Sequence, residues 1–229
     1  MKGQNTSKVN PPKLVRAPST WRLYVIIDKQ AAGSQSLAGL AQQAIQGGAD
    51  VLQLRDKSAP AKALMEEAQQ ILPLTQAAGI ALIINDRVDV ACAVGADGVH
   101  VGQEDLPVAQ ARAILGKGKL IGKSTHSFLQ ALGAEAEGAD YLGLGPIFPT
   151  PTKPDYGSVG TDLIQPLAAK VHIPFVCIGG IDLENINEVL SAGAKCVAVV
   201  RAICHAQDPE GATRQLKQRL IQSAATFSI

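Results

Sequence analysis

The residues of this chain that can do chemistry come in short clusters, each placed directly after an apolar run. The richest is Gly143-Leu-Gly-Pro-Ile-Phe-Pro-Thr-Pro-Thr-Lys-Pro-Asp155. Thr150 and Thr152 offer hydroxyls, Lys153 an ammonium, and Pro149, Pro151 and Pro154 hold φ at about −65°. A loop stiffened in this way loses less entropy when it closes on a ligand. Its hydroxyls, amides and cation suit phosphate oxygens. Gln53-Leu-Arg-Asp-Lys57 follows Val51 and, with period-two alternation, turns Gln53, Arg55 and Lys57 toward one side. An amide and two cations make a pocket for a highly charged anion, although Asp56 is placed to neutralise Lys57 in a solvated loop.

Two acids stand out for a different reason. Asn85-Asp-Arg87 and Gly102-Gln-Glu-Asp105 follow consecutive apolar runs, so Asp86 and Asp105 can converge on one hard cation. Magnesium binds through one or two carboxylates, the remaining positions being filled by waters and substrate phosphates. Each acid also has a competing use as a helix cap, Asp86 before Val88 and Asp105 before Pro107. Ser124-Thr-His126 supplies a hydroxyl pair and an imidazole, but no acid is positioned to complete a triad, so Ser124 reads as a phosphate-oxygen donor. Ile178-Gly-Gly-Ile181 and Val200-Arg201 each lead into a helix, the pattern of a backbone phosphate cradle.

The elements that must carry these clusters alternate regularly. Strands are predicted at Arg22–Ile27, Val51–Leu54, Ala81–Ile84, Gly98–Val101, Leu120–Lys123, Tyr141–Leu144, Phe175–Ile178 and Cys196–Val199. Helices are predicted at Ser36–Gln46, Ala61–Ala78, Val88–Val94, Pro107–Leu115, Phe128–Glu137, Asp162–Val171, Leu183–Ala192 and Asp208–Ala224. A repeated phrase precedes four strands: Gly48-Ala-Asp50, Gly95-Ala-Asp97, Gly138-Ala-Asp140 and Gly193-Ala-Lys195. Its glycine ends a helix in a left-handed conformation. Short αβ turns of this kind demand parallel strands with right-handed crossovers. Eight βα units close a (β/α)₈ barrel more naturally than they extend a doubly wound open sheet. In a barrel, every cluster above falls at the C-terminal mouth, where such folds keep their sites.

Composition agrees. At 229 residues the chain suits one barrel domain, with hydrophobic content of 46 % against 3 % aromatics, so Val, Ile, Leu and Ala fill the core. A net charge of +1 gives no global attraction to nucleic acid or to an acidic membrane surface. No apolar run reaches the ~18 residues that span a bilayer. Cys92, Cys177, Cys196 and Cys204 have neither zinc-ligand nor disulfide spacing, which fits a reduced, cytoplasmic setting. Residues 1–20, with Lys2, Lys8, Lys13 and Arg16 and no acid, read as a disordered basic tail, and residues 21–229 as the barrel. Cations, amides and hydroxyls for one polyphosphate, two acids for magnesium and a separate monophosphate cradle point to the joining of two phosphorylated substrates with release of diphosphate.

These motifs, Gln53–Lys57, Asn85-Asp86, Asp97–Asp105, Ser124–His126, Gly145–Lys153 and Ile178–Ile181, resemble in order and spacing those of the thiamine-phosphate synthase family. The resemblance spans residues 22 to about 205. It implies coupling of an aminopyrimidine diphosphate to a thiazole phosphate. Gln53, Arg55, Lys57, Asn85, Ser124 and Lys153 would hold the pyrimidine diphosphate. Asp86 and Asp105 would carry magnesium, and Thr150, Thr152, Gly180, Val200 and Arg201 would bracket the thiazole phosphate. Within that reading Arg55, Lys57, Ser124 and Lys153 are the catalytic set, acting on a departing diphosphate. Arg201 stands where the family commonly has serine, so an arginine contact or a backbone amide serves the phosphate there. The rival readings are a thiazole tautomerase or regulatory paralogue, a sugar-phosphate isomerase and a non-catalytic phosphate sensor. The sequence leaves the oligomeric state open.

Overall fold

The computed structural model describes residues 16–150 and 157–226. Thr152 and Lys153 lie outside the described residues. Eight parallel strands close in chain order into a barrel: β1 (Leu23–Asp28), β2 (Val51–Arg55), β3 (Ala81–Asn85), β4 (Gly98–Val101), β5 (Leu120–Thr125), β6 (Tyr141–Leu144), β7 (Phe175–Ile178) and β8 (Val197–Val199). The expected barrel is the observed one. Strands β2, β3 and β5 run one or two residues further toward the mouth than the sequence indicates. Arg55, Asn85 and Ser124 are therefore strand residues whose side-chain direction the sheet fixes.

The repeated Gly-Ala-Asp phrase does more than end helices. Gly48, Gly95, Gly138 and Gly193 all have positive φ, as the turn requires. The following Ala49, Ala96, Ala139 and Ala194 are buried. The aspartates then bond across to the preceding strand. Asp50 Oδ2 accepts from the amides of Arg22 (2.8 Å) and Leu23 (2.9 Å), Asp97 Oδ2 from Leu82 (2.9 Å), and Asp140 Oδ2 from Ile121 (2.7 Å). Each carboxylate thereby pins the entry of a neighbouring strand and sets the register of the sheet. Lys195, in the fourth copy, has no carboxylate to do this.

Helices α2 (Leu37–Gln46), α3 (Ala61–Ala78), α4 (Val88–Val94), α5 (Val108–Leu115) and α6 (Phe128–Ala136) follow the predicted spans closely. Helices α7 (Ile164–Ala168) and α8 (Ile186–Ser191) are shorter than predicted. For α8 the reason is local: Asp182 Oδ1 accepts from the amides of Glu184 and Asn185, and Asn185 Oδ1 accepts from Asp182 N, closing a turn before the helix. A short α1 (Lys29–Ala32), unforeseen in sequence, starts on Asp28, whose carboxylate accepts from Ala31 N at 2.8 Å. Helices α9 (Arg201–Cys204) and α10 (Pro209–Thr226) complete the ring. Residues 16–20, assigned in sequence to the tail, pack on the barrel: Arg16 pairs with buried Asp50 at 2.9 Å, and Trp21 Nε1 donates to Arg16 O.

Aliphatic side chains fill the layer between barrel and helices. The lumen holds a separate cluster in which Trp21, Tyr24 and Tyr141 meet, with Trp21 edge-on to both tyrosines at centroid distances of 5.7 and 5.1 Å. Packed aromatics at the lower end leave the upper end open as a pocket.

Candidate active site

The mouth holds a cavity of about 470 Å³. Of the residues singled out in sequence, Gln53, Arg55, Asn85, Ser124, Thr150, Gly180, Val200 and Arg201 all line it. They come from six strands or the loops behind them, so closure of the barrel alone gathers them. Gln53 and Arg55 face the lumen two residues apart on β2, as alternation requires. The Arg55 guanidinium, 11 % exposed, is paired with the Asp28 carboxylate, 3 % exposed. That pairing holds the cation in place before any anion arrives.

Lys57 does not share the inward face of Gln53 and Arg55. It lies past the end of β2, 57 % exposed, with Nζ 3.1 Å from Asp86 Oδ2. Asp86 has φ of +60°, the left-handed region that few residues other than glycine, Asn and Asp enter. Its carboxylate does not cap α4, whose N-cap residue is Arg87 without a side-chain bond. It meets Asp105 instead. Asp105 likewise does not cap α5, and its Oδ2 accepts from Gly102 N at 2.7 Å, closing the loop behind β4. Burial, and then contact with Asp105, push the Asp86 carboxyl above the usual carboxylate range, with Lys57 opposing. Two carboxylates in contact, one of them destabilised as an anion, fit a hard cation that would relieve both. Among the described residues there is no cluster of three or more His, Cys, Asp or Glu ligands.

The opposite side of the mouth is shaped by close backbone packing. Gly180 has φ of +64°, and a Cβ there would come within 2.9 Å of Phe148 Cβ and Pro149 O. The loops behind β6 and β7 can touch only because this residue has no side chain. Asn185 Nδ2 donates to Gly180 O at 2.7 Å and holds the loop from below. His126 shapes the same wall: its Nδ1 contacts Gly145 O, and its amide donates to Gln130 Oε1 at 2.7 Å. A carbonyl only accepts, so His126 Nδ1 carries the hydrogen, and the ring braces the loop that bears Thr150.

Three residues escaped sequence reasoning. Tyr24, His100 and Tyr141 line the cavity and are hydrogen-bonded to one another or to Gln53 and Ser124. The available signal was register. On β4, Val99 and Val101 are fully buried while His100 takes the opposite face, and it pairs with Asn85 across the sheet. A polar residue on the inward face of a barrel strand is a mouth residue. Single-strand alternation hides it because inward and outward faces are both buried.

Comparison with known proteins agrees with this geometry. Residues 23–203 match the family described as thiamine monophosphate synthase. The chain is 50 % identical to the thiamine-phosphate synthase of Chloroflexus aurantiacus over 198 residues, covering 86 % of this chain and 91 % of that protein. It is 47 % identical to that of Roseiflexus castenholzii, over 85 % of this chain and 86 % of the other. Among solved structures, thiamine phosphate pyrophosphorylase from Pyrococcus furiosus superposes with a TM-score of 0.83 at 37 % identity, covering 90 % of this chain and 98 % of that one.

Proposed function

We propose, for a chain that belongs to the thiamine monophosphate synthase family and is a transferase, that the barrel mouth joins two phosphorylated heterocycles. The substrates are 4-amino-2-methyl-5-(diphosphooxymethyl)pyrimidine and 4-methyl-5-(2-phosphoethyl)thiazole or its carboxylated form. The products are thiamine phosphate and diphosphate, together with carbon dioxide when the thiazole is carboxylated, the vacated ring carbon then taking a proton from solvent. The observation that supports this reading is the Asp86–Asp105 carboxylate pair with Lys57 against it, which follow β3, β4 and β2 at the end of the barrel where Arg55, Asn85 and Ser124 line the cavity, without themselves lining it.

The reaction breaks the C–O bond between the pyrimidine methylene and diphosphate, and diphosphate keeps the electron pair. The thiazole nitrogen then supplies its lone pair to the methylene carbon. No proton transfer is required in either step, so neither step calls for a general base. Arg55, preset by Asp28, and Lys57 stabilise the charge that develops on the departing oxygens, and Lys153 is assigned the same task. Magnesium held by Asp86 and Asp105 supplies charge neutralisation to the diphosphate when bound. Thr150, Thr152, Gly180, Val200 and Arg201 hold the thiazole phosphate, with Arg201 offering a guanidinium for a bidentate contact.

The test is formation of thiamine phosphate and diphosphate by the purified chain, with both substrates and magnesium. Equimolar release of the two products is expected, and it should stop when chelator is added. Rearrangement of the thiazole alone, without diphosphate, would replace this reading by a tautomerase. Binding without turnover would replace it by a sensor. As a biosynthetic enzyme of small polar substrates the chain needs neither membrane nor nucleic acid, in keeping with a cytoplasmic location; no helix among the described residues is long and apolar enough to cross a membrane.

A further inference from the structure

Across the otherwise apolar lumen runs a continuous line of polar contacts. Gln53 Nε2 donates to Tyr24 Oη at 2.7 Å, Tyr24 Oη lies 3.1 Å from Tyr141 Oη, Tyr141 Oη lies 3.2 Å from His100 Nδ1, and His100 Nε2 lies 2.9 Å from Ser124 Oγ. Both ends, Gln53 and Ser124, line the cavity. The middle is built for these rings. A Cβ at Gly122 would fall 2.2 Å from Tyr141 Cζ and 2.4 Å from His100 Nδ1, so no other residue leaves space for them.

The direction of the line follows from counting hydrogens. A phenol has one hydrogen, and a neutral imidazole carries one hydrogen on one of its two nitrogens. Tyr24 accepts from the Gln53 amide, and the arrangement that leaves no buried hydroxyl hydrogen of the line unpaired sends its own hydrogen to Tyr141. Tyr141 accepts that hydrogen and sends its own to His100 Nδ1. His100, accepting at Nδ1, carries its hydrogen on Nε2 and donates it to Ser124 Oγ. Burial keeps both phenols protonated by pushing their pKa values well above the usual range, so the line does not lose a proton at neutral pH.

We infer that Tyr24, Tyr141 and His100 form a one-way hydrogen-bond relay that makes Ser124 a donor toward the pocket, so that the substrate atom docked on Ser124 is an acceptor such as a pyrimidine ring nitrogen. The substrate clause rests on the proposed function; the direction of the relay does not. Tyr24, Tyr141 and His100 are then positioning residues. They select the face of the heterocycle that presents a nitrogen lone pair, and a fixed donor at Ser124 costs no reorientation when the substrate arrives.

The relay is tested on the full chain, without substrate, by two-bond ¹H–¹⁵N correlation of labelled histidine side chains, His100 being assigned by its loss in His100→Gln. The expected spectrum has His100 as the Nε2–H tautomer, and an Nδ1–H tautomer overturns the inference. A second arm measures turnover. Tyr141→Phe should mix the His100 tautomers and lower kcat/KM for the pyrimidine diphosphate about tenfold, the worth of one hydrogen bond, with KM for the thiazole phosphate unchanged. His100→Leu should match it. His100→Gln, whose amide can donate in place of Nε2, should recover most of the loss. Equal impairment of His100→Leu and His100→Gln, or an equal rise in thiazole KM, overturns the positioning role. If Tyr141→Phe fails to fold, the wild-type tautomer still decides the direction. A chain that shows the Nε2–H tautomer yet forms no thiamine phosphate keeps the relay and loses the proposed function.

Discussion

Replacing Asp86 with asparagine should make the metal-free protein more stable while removing its magnesium response. Asp86 and Asp105 are in contact, and burial adds to the cost of charging Asp86. Two like charges ~4 Å apart at an effective dielectric of ~20 repel by about 4 kcal/mol. The Lys57 ammonium at 3.1 Å offsets part of this, but it is 57 % exposed and screened by solvent. Asparagine removes the repulsion, offers Asp105 an N–H donor, and tolerates the left-handed backbone at this position. The expected net gain is about 1 kcal/mol, or about 2–4 °C in Tm for a domain of this size. The sign of its pH dependence is fixed. An acid whose pKa is higher in the folded than in the unfolded state gives stability that is complete below the unfolded value and is lost as pH rises through the folded one. The wild-type chain therefore weakens over that window and Asp86→Asn does not, so the gap between them opens with rising pH and closes in acid. With magnesium at ~100 times its Kd, the wild type should gain about 2.7 kcal/mol, or about 5–10 °C, and the variant nothing. Turnover should fall on the order of 10²-fold or more. Differential scanning calorimetry in chelator and in magnesium, at several pH values, reads all of this. A variant less stable than wild type in chelator, or one that keeps the magnesium increment, would refute the cation site.

Two further outcomes are expected. Gly180→Ala places a methyl group 2.9 Å from Phe148 Cβ and Pro149 O at a left-handed backbone; it should cost about 1–2 kcal/mol of stability and raise KM for the thiazole phosphate more than KM for the pyrimidine diphosphate. Steady-state kinetics with each substrate varied in turn would show an unchanged thiazole KM if the loop behind β7 were not part of that subsite. Alkylation of the native chain at about pH 8 should modify Cys92, the exposed thiol, and spare Cys177, Cys196 and Cys204. Burial pushes the Cys177 thiol up to about 12 and raises the other two as well. Mass spectrometry before and after denaturation checks this, and native labelling of Cys177 would contradict the packing of the layer between barrel and helices.

The fold was legible in sequence because it is locally encoded. Helix ends are marked by left-handed glycines, the Gly-Ala-Asp phrase recurs at three αβ turns with a Gly-Ala-Lys variant at a fourth, and a chain built from eight βα units has few ways to close. The identity of the mouth residues was legible for the same reason, since Arg55, Asn85, Ser124 and Gly180 each stand at or just past the C-terminal end of a strand. Contacts between clusters far apart in the chain were not legible. The capping role open to Asp86 and Asp105 in one dimension gives way to a carboxylate pair because β3 and β4 are neighbours. Lys57 and Arg55, two residues apart, part company because one lies inside the sheet and the other past its end, so each meets a different acid. Tyr24, His100 and Tyr141 met one another and the cavity only when the barrel closed around them. Strand periodicity tells inside from outside when one face is wet. In a barrel wrapped by helices both faces are dry, and only the closed sheet decides which polar side chain points at the substrate.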